Sequence, residues 1–261
     1  MNVIESDEKI NPSNNDQIAP LLPTTFNATT GLNCLRMTDS LYVKQLPSMS
    51  EIIFGIASEA KFDIYTDNNV RMLQALETSS FWQRFCCSTR RHFTLRIIDN
   101  SNQDVILIKR EFKCCSGCCW CANTKCCSQE VIVESPPGTL IGTVAQQGSC
   151  CRSIFAIKDS DDNHVLTVRG PLGVCDGPLS CRCENKYFLI GTDGTSEVGF
   201  IQKKYRGILK EILTSADAYL LKVPMDLDVK MKAMSLAALF LIVSISIENK
   251  YFRIVYRNHF L

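Results

Sequence analysis

Thiols are the side chains with the most chemistry to offer in this sequence. There are 15 cysteines; apart from Cys34 they are crowded as Cys86-Cys87, Cys114-Cys115, Cys118-Cys119, Cys121, Cys126-Cys127, Cys150-Cys151, Cys175, Cys181 and Cys183. A thiolate can ligate a metal, attack an electrophile or pair as a disulfide. Cys115-x2-Cys118 and Cys118-x2-Cys121 have zinc-ligand spacing, and Cys126 or Cys127 would complete a four-thiolate site. A disulfide framework is disfavoured. Residues 1–10 carry Glu5, Asp7 and Glu8 and no apolar run, unlike a secretory signal, and thiols stay reduced in the cytosol. Cys175, Cys181 and Cys183 form a looser second group, read as free thiols that would meet the first group only if the fold brings them together.

Other chemistry is sparse. His92 and His164 stand in no visible relation to Cys or Asp that makes a catalytic set. Residues 142–148 lack the Gly-Lys-Ser/Thr ending of a phosphate-binding loop, so no nucleotide is expected. A formal net charge of +1 gives no global field for nucleic acid or acidic lipid, and no nucleic-acid partner is predicted. Lys203-Lys204-Tyr205-Arg206 is a short basic cluster that either touches anionic headgroups or is a solvated strand end. Pro20-Leu21-Leu22-Pro23 fits a PxxP ligand for an SH3-type partner, or is plain linker.

These groups must be positioned by a β-rich domain. Residues 1–30 are polar, rich in Asn, Ser, Thr and Pro, and read as a disordered tail. From Lys61 to Val223 short alternating segments follow one another: 61–66, 70–77, 93–98, 105–108, 130–134, 140–145, 154–157, 165–168, 187–190, 198–202, 208–213 and 219–223. Turn signals separate many of them, among them Asp67-Asn68-Asn69, residues 99–102, Pro136-Pro137-Gly138, residues 159–163 and Thr192-Asp193-Gly194. About twelve strands with short connections predict an antiparallel sandwich or, with its edges removed, a closed barrel. The last element differs. Residues 233–247 form the longest apolar run, helix-forming at its start and apolar all round, hence buried in protein or in lipid. That run covers roughly 22 Å at about 1.5 Å per residue, against roughly 30 Å for a bilayer core. Extending it back to Val229 reaches spanning length and includes Lys230 and Lys232, whose stems could snorkel. Basic residues flank both sides, so no orientation follows. In the final stretch, 249–261, residues 251–256 look strand-like.

Several blocks resemble the phospholipid scramblase family: residues 93–100, Pro136-Pro137-Gly138 with Ile141-Gly142, Gly170-Pro171 leading to Val174-Cys175, Gly207-Ile208-Leu209, and above all residues 224–233 (PMDLDVKMKA) running into the apolar helix. The resemblance covers about residues 31–248. It implies a tubby-like fold, mainly β: a twelve-stranded antiparallel barrel around a central hydrophobic C-terminal helix, here 229–247.

The resemblance also implies function. A Cys-rich loop at this place in the family is S-palmitoylated, and Cys118, Cys119, Cys121, Cys126 and Cys127 correspond best to it; zinc and inert or redox thiols stay open beside acylation. Each acyl chain contributes about 0.8 kcal/mol per buried CH2, and stable anchoring takes two or more signals. An acidic, EF-hand-like segment aligns with residues 215–226, offering Ser215, Asp217, Tyr219 and Asp226. Lacking the loop glycine and an acid at position 215, it predicts weak or absent calcium binding; the competing reading is a strand followed by a helix capped by Asp226 or Asp228. The implied activity is ATP-independent, bidirectional movement of phospholipid between leaflets, at the cytoplasmic face of the plasma membrane or of intracellular membranes. It involves no covalent chemistry, and a homo-oligomer would help, because one helix offers no polar path. The alternative is a palmitoylated surface module that binds lipid and partners without scrambling.

Overall fold

A computed structural model describes residues 31–46, 59–80, 91–113, 121–150, 152–172, 186–204 and 218–259, with side chains to 246. Period-two burial defines its strands. In Arg71–Thr78, for example, Leu73, Ala75 and Glu77 point inward and Gln74 and Leu76 outward. In chain order the strands are β1 (Ser40–Leu46), β2 (Lys61–Tyr65), β3 (Arg71–Thr78), β4 (Phe93–Asp99), β5 (Asp104–Arg110), β6 (Glu130–Glu134), β7 (Leu140–Gln147), β8 (Arg152–Asp159), β9 (His164–Leu172), β10 (Lys186–Ile190), β11 (Glu197–Lys204) and β12 (Ala218–Lys222). Each strand pairs antiparallel with its predecessor, and β1 pairs with β12, Val43 opposite Tyr219, so the sheet closes. The mainly β barrel expected from the resemblance is the fold observed.

Tight hairpins on one side share one recipe. Asp99 accepts hydrogen bonds from the Ser101 and Gln103 amides, and Asp159 from those of Asp161 and Asn163. A residue that tolerates the left-handed region completes each turn: Asn102 at φ 62° and Asp162 at φ 64°, with Asn69 at 57° in the β2–β3 turn.

The helix α1 (Val229–His259) fills the barrel. Every residue from 232 to 243 is buried, on all faces, and packs with inward residues such as Val43, Ile64, Leu73, Ile97, Val144 and Leu189. Phe240 meets Phe62 edge to face at 5.4 Å. Where α1 runs closest to the wall, β7 carries Gly142: a Cβ there would lie 2.2 Å from the Lys158 carbonyl and 2.8 Å from Met234 Cε. An 18-residue window of α1 has mean hydropathy 1.7, enough by length and composition to cross a membrane, yet 72% of it is buried inside the protein.

Three details depart from the sequence reading. The strand β1 was not expected, and the candidate at 208–213 lies outside the described residues. The helix runs to His259, past the expected end at 247, so 251–256 is helical and not strand-like: no proline follows Pro224 and no glycine follows Gly207 to stop it. Lys232 does not snorkel; it is buried.

Candidate functional site

Antiparallel order with one closure sorts the connections into two sets. Hairpins β2–β3, β4–β5, β6–β7, β8–β9 and β10–β11, together with the β12–α1 link, lie at one end of the barrel, the turn end. The connections β1–β2, β3–β4, β5–β6, β7–β8, β9–β10 and β11–β12 leave and return at the other, the loop end. Cys86, Cys87, Cys175, Cys181 and Cys183 fall in loop-end connections, outside the described residues. So do Cys118 and Cys119 of the expected acylation set, and Cys114, Cys115 and Cys151.

The described part of the β5–β6 connection is a docked turn. Arg110, 1% exposed, ends β5 with its guanidinium 5.5 Å over the Phe93 ring. It donates to Gln129 Oε1 and lies 3.5 Å from Ser244 Oγ of α1. The Gln146 amide donates to Gln129 O at 2.7 Å, and Ser128 Oγ to Gln146 O at 2.7 Å, which binds the returning chain to β7. Residues Cys121–Asn123 form a 3-10 turn closed by Thr124 Oγ1 on Cys121 O. Ala122 is buried beneath it, and Asn123 Oδ1 accepts the Gly148 amide at 2.9 Å. Lys113 Nζ reaches Lys125 O at 3.1 Å and Glu130 at 3.7 Å.

This turn divides the thiols. Cys121 and Cys126 are exposed, whereas Cys127 is 7% exposed, its Sγ 3.7 Å from that of Cys126. The Asn123–Gly148 bond brings the β7–β8 connection alongside, and with it exposed Cys150, which the sequence reading left unassigned. Only the strand order could have grouped it with the others. Among the described residues no cluster of three or more His, Cys, Asp or Glu side chains is placed to hold a metal.

The remaining residues of interest separate between the two ends. Tyr219 sits on β12 with its side chain inside the barrel, while Asp226 lies on the exposed turn before α1; Ser215 and Asp217 are outside the described residues. Asp228 caps α1, accepting from the Lys230 and Met231 amides at 3.0 and 3.3 Å. One turn further on, the Lys232 ammonium, 1% exposed, shares its three N–H donors among the carbonyls of Leu35 (3.2 Å), Arg36 (3.0 Å), Thr38 (2.8 Å) and Met225 (2.8 Å). Burial pushes its pKa down, and Asp39 and Asp226 act against that. A cation thus sits beside the calcium-like segment, and it is the protein's own.

Lys203, the first residue of the basic cluster, points inward. It is 7% exposed, 5.8 Å over the Tyr219 ring, beside a cavity of about 10 Å3 shared with Tyr187 and Ser246, room for one water. Lys204 is exposed and bonded to Gln202 Oε1; Tyr205 and Arg206 lie outside the described residues. Buried Glu77 pairs with Arg91 at 2.7 Å across the β3–β4 connection. His92 stands at the loop end and His164 at the turn end, bonded to Thr167 Oγ1, so they form no catalytic pair.

Comparison with known proteins returns one family, described as Scramblase, matching residues 19–253. Mouse phospholipid scramblase 1 is 36% identical over 223 residues, 85% of this chain and 65% of that protein. Human phospholipid scramblase 2 is 36% identical over 223 residues, 85% of this chain and 72% of that protein. Human phospholipid scramblase family member 5 is 32% identical over 236 residues, 88% of this chain and 84% of that protein. The chain therefore spans about 65% of the length of the mouse relative. No solved structure matches.

Proposed function

Because this chain belongs to the scramblase family, we propose that it moves phospholipids between membrane leaflets, in both directions and without ATP or covalent chemistry on the lipid. The observation that carries this reading is the family match over residues 19–253, which includes the whole barrel and most of α1, together with relatives named phospholipid scramblases. Scrambling lowers the barrier for a polar headgroup crossing an apolar core. The barrel is filled by its own helix, so a headgroup would travel along the outer wall or between associated copies, not through the middle.

The protein would work at the cytoplasmic face of the plasma membrane, held by acyl groups on loop-end thiols. Cys121 and Cys126 are the described members of the Cys118, Cys119, Cys121, Cys126, Cys127 set that an acyl donor can reach as they stand; Cys127 becomes available only if its turn opens. Calcium would find one exposed carboxylate, Asp226, in the described part of its segment, too few oxygens for a tight site. Zinc held by cysteines 115–127 and an SH3-type partner at Pro20–Pro23 remain further proposals for this chain.

Purified full-length protein in liposomes carrying a labelled phospholipid tests the reading. Exchange between leaflets should accelerate relative to empty liposomes, with no added nucleotide. Unchanged exchange by protein that is folded and inserted would refute it in favour of an acylated surface module.

A further inference from the structure

We propose that the loop end of the barrel is a docking surface for an anionic lipid leaflet, and that the turn end faces away from it. The proposal deepens the membrane reading above and rests on it. It starts from charge. The chain as a whole carries only +1, so attraction to an acidic leaflet must come from segregation, and the two ends are segregated. The turn end exposes seven acids, Asp67, Asp161, Asp162, Asp193, Glu197, Asp226 and Asp228, against four cations, Arg36, Arg71, Lys222 and Lys230, so its described surface is net acidic. The loop end exposes Lys61, Lys125 and Lys204, with Lys113, Arg152 and Lys186 half-buried at its rim.

Acids at the loop end do not cancel this. Glu77 is buried against Arg91, and Glu130 lies 3.7 Å from Lys113, which leaves Glu59 and Glu111 as its exposed carboxylates among the described residues. Strand register places the cations together. Lys204 pairs with Ala218, which pairs with Lys44, and Lys61 starts the next strand opposite Leu46. Lys125 stands across the barrel mouth, inside the turn that presents Cys121 and Cys126.

Apolar exposure alone does not choose between the ends. Phe112 (52%) and Leu46 are exposed at the loop end, but Met37, Val70, Leu140 and Met225 are exposed at the turn end. Charge decides: acidic turns are repelled by an anionic leaflet, whereas lysines within a Debye length of it are attracted. Exposed thiols Cys121, Cys126 and Cys150 share the basic end. An acyl chain and a basic patch on one face are the two signals that stable attachment takes.

The test uses full-length, unacylated protein and sedimentation with vesicles of phosphatidylcholine, alone or mixed with phosphatidylserine. Binding should require the serine lipid and fall as salt rises. The variant Lys61→Glu/Lys125→Glu/Lys204→Glu should weaken it at least about tenfold, while Arg71→Glu/Lys222→Glu/Lys230→Glu at the turn end should change it by less than about twofold. Equal loss in both variants overturns the proposal, as does binding to both vesicle types alike, or binding to a DNA duplex in place of vesicles. Hydrogen exchange on vesicle-bound wild type needs no variant. Amides in 121–127 and 148–150 should gain protection and those in 159–163 and 191–196 should not; the reverse pattern overturns the proposal. Serine-lipid-dependent docking without faster leaflet exchange supports it while refuting scrambling.

Discussion

The two ends of this barrel answer to different demands. At the turn end the chain reverses in hairpins such as 160–163, where backbone geometry dictates the residues: Asp99, Asp159 and Asp193 each hold the amides of their own turn. At the loop end it reverses through connections such as 111–129, whose residues carry chemistry. Cysteine shows the contrast. Cys34 at the turn end is half-buried, its thiol pushed up by desolvation to about 11, whereas Cys121, Cys126 and Cys150 at the loop end are exposed. Each end also buries one cation at 1% exposure, Lys232 at the turn end and Arg110 at the loop end. The lysine fastens α1 to the barrel; the arginine fastens the cysteine turn.

Removing those fasteners should break the comparison most visibly. Lys232→Met removes the ammonium from the Arg36, Thr38 and Met225 carbonyls, while Leu35 O keeps the Thr38 amide, and we expect a loss of about 3 kcal/mol in chemical denaturation, at about 1–3 kcal/mol for each buried polar group left unsatisfied. A loss below about 1 kcal/mol would show the ammonium to be incidental. Next in size is thiol reactivity. Two pKa units above the usual thiol value of 9.0 give Cys34 about 100-fold less thiolate. Timed alkylation read by mass spectrometry should modify the exposed Cys121, Cys126 and Cys150 well before Cys34. Arg110→Met should cost about 2 kcal/mol, from the lost donation to Gln129 Oε1 and the lost contact with the Phe93 ring. Its signature would be local: Cys127 should become alkylated at a rate approaching that of Cys126.

The smallest effect lies in the turns. Hydrogen bonds from the Ser196 hydroxyl and amide and from Thr195 hold the Asp193 carboxyl down at about 2, below its usual 3.8. Because the folded value is the lower one, its stabilisation is present above about pH 4 and fades as pH falls toward 2. An NMR carboxyl titration should find that midpoint, and Asp193→Asn should abolish this part of the acid sensitivity.

Strands were legible because alternation and turn chemistry agree locally, as in 93–110, where two apolar runs flank Asp99 to Gln103. β1 was not, because the 14 residues 47–60 separate it from β2 with no tight turn signal between them, and its other partner, β12, sits at the far end of the barrel sequence. The wall of the barrel was readable, but its mouth was not. Lysine is a residue expected at the surface, so nothing local signals that Lys203 turns inward or that Lys232 finds four carbonyls. Among the thiols, Cys126 and Cys127 are adjacent and identical in type; only the geometry of the Cys121–Asn123 turn makes one exposed and the other buried. The grouping of Cys150 with them required the strand order.

Pairing of β1 with β12 has a consequence for how the protein is made. As the chain leaves the ribosome, residues 40–46 have to wait for 218–222 before the wall can shut, and α1, synthesised after all twelve strands, is what must occupy the space inside. Until then the nascent chain is an unclosed sheet with a naked greasy face, prone to stick to other chains. Helpers that shield such a face during translation should matter more for this polypeptide than for a bundle built from neighbouring segments, and truncation before residue 229 should leave it insoluble.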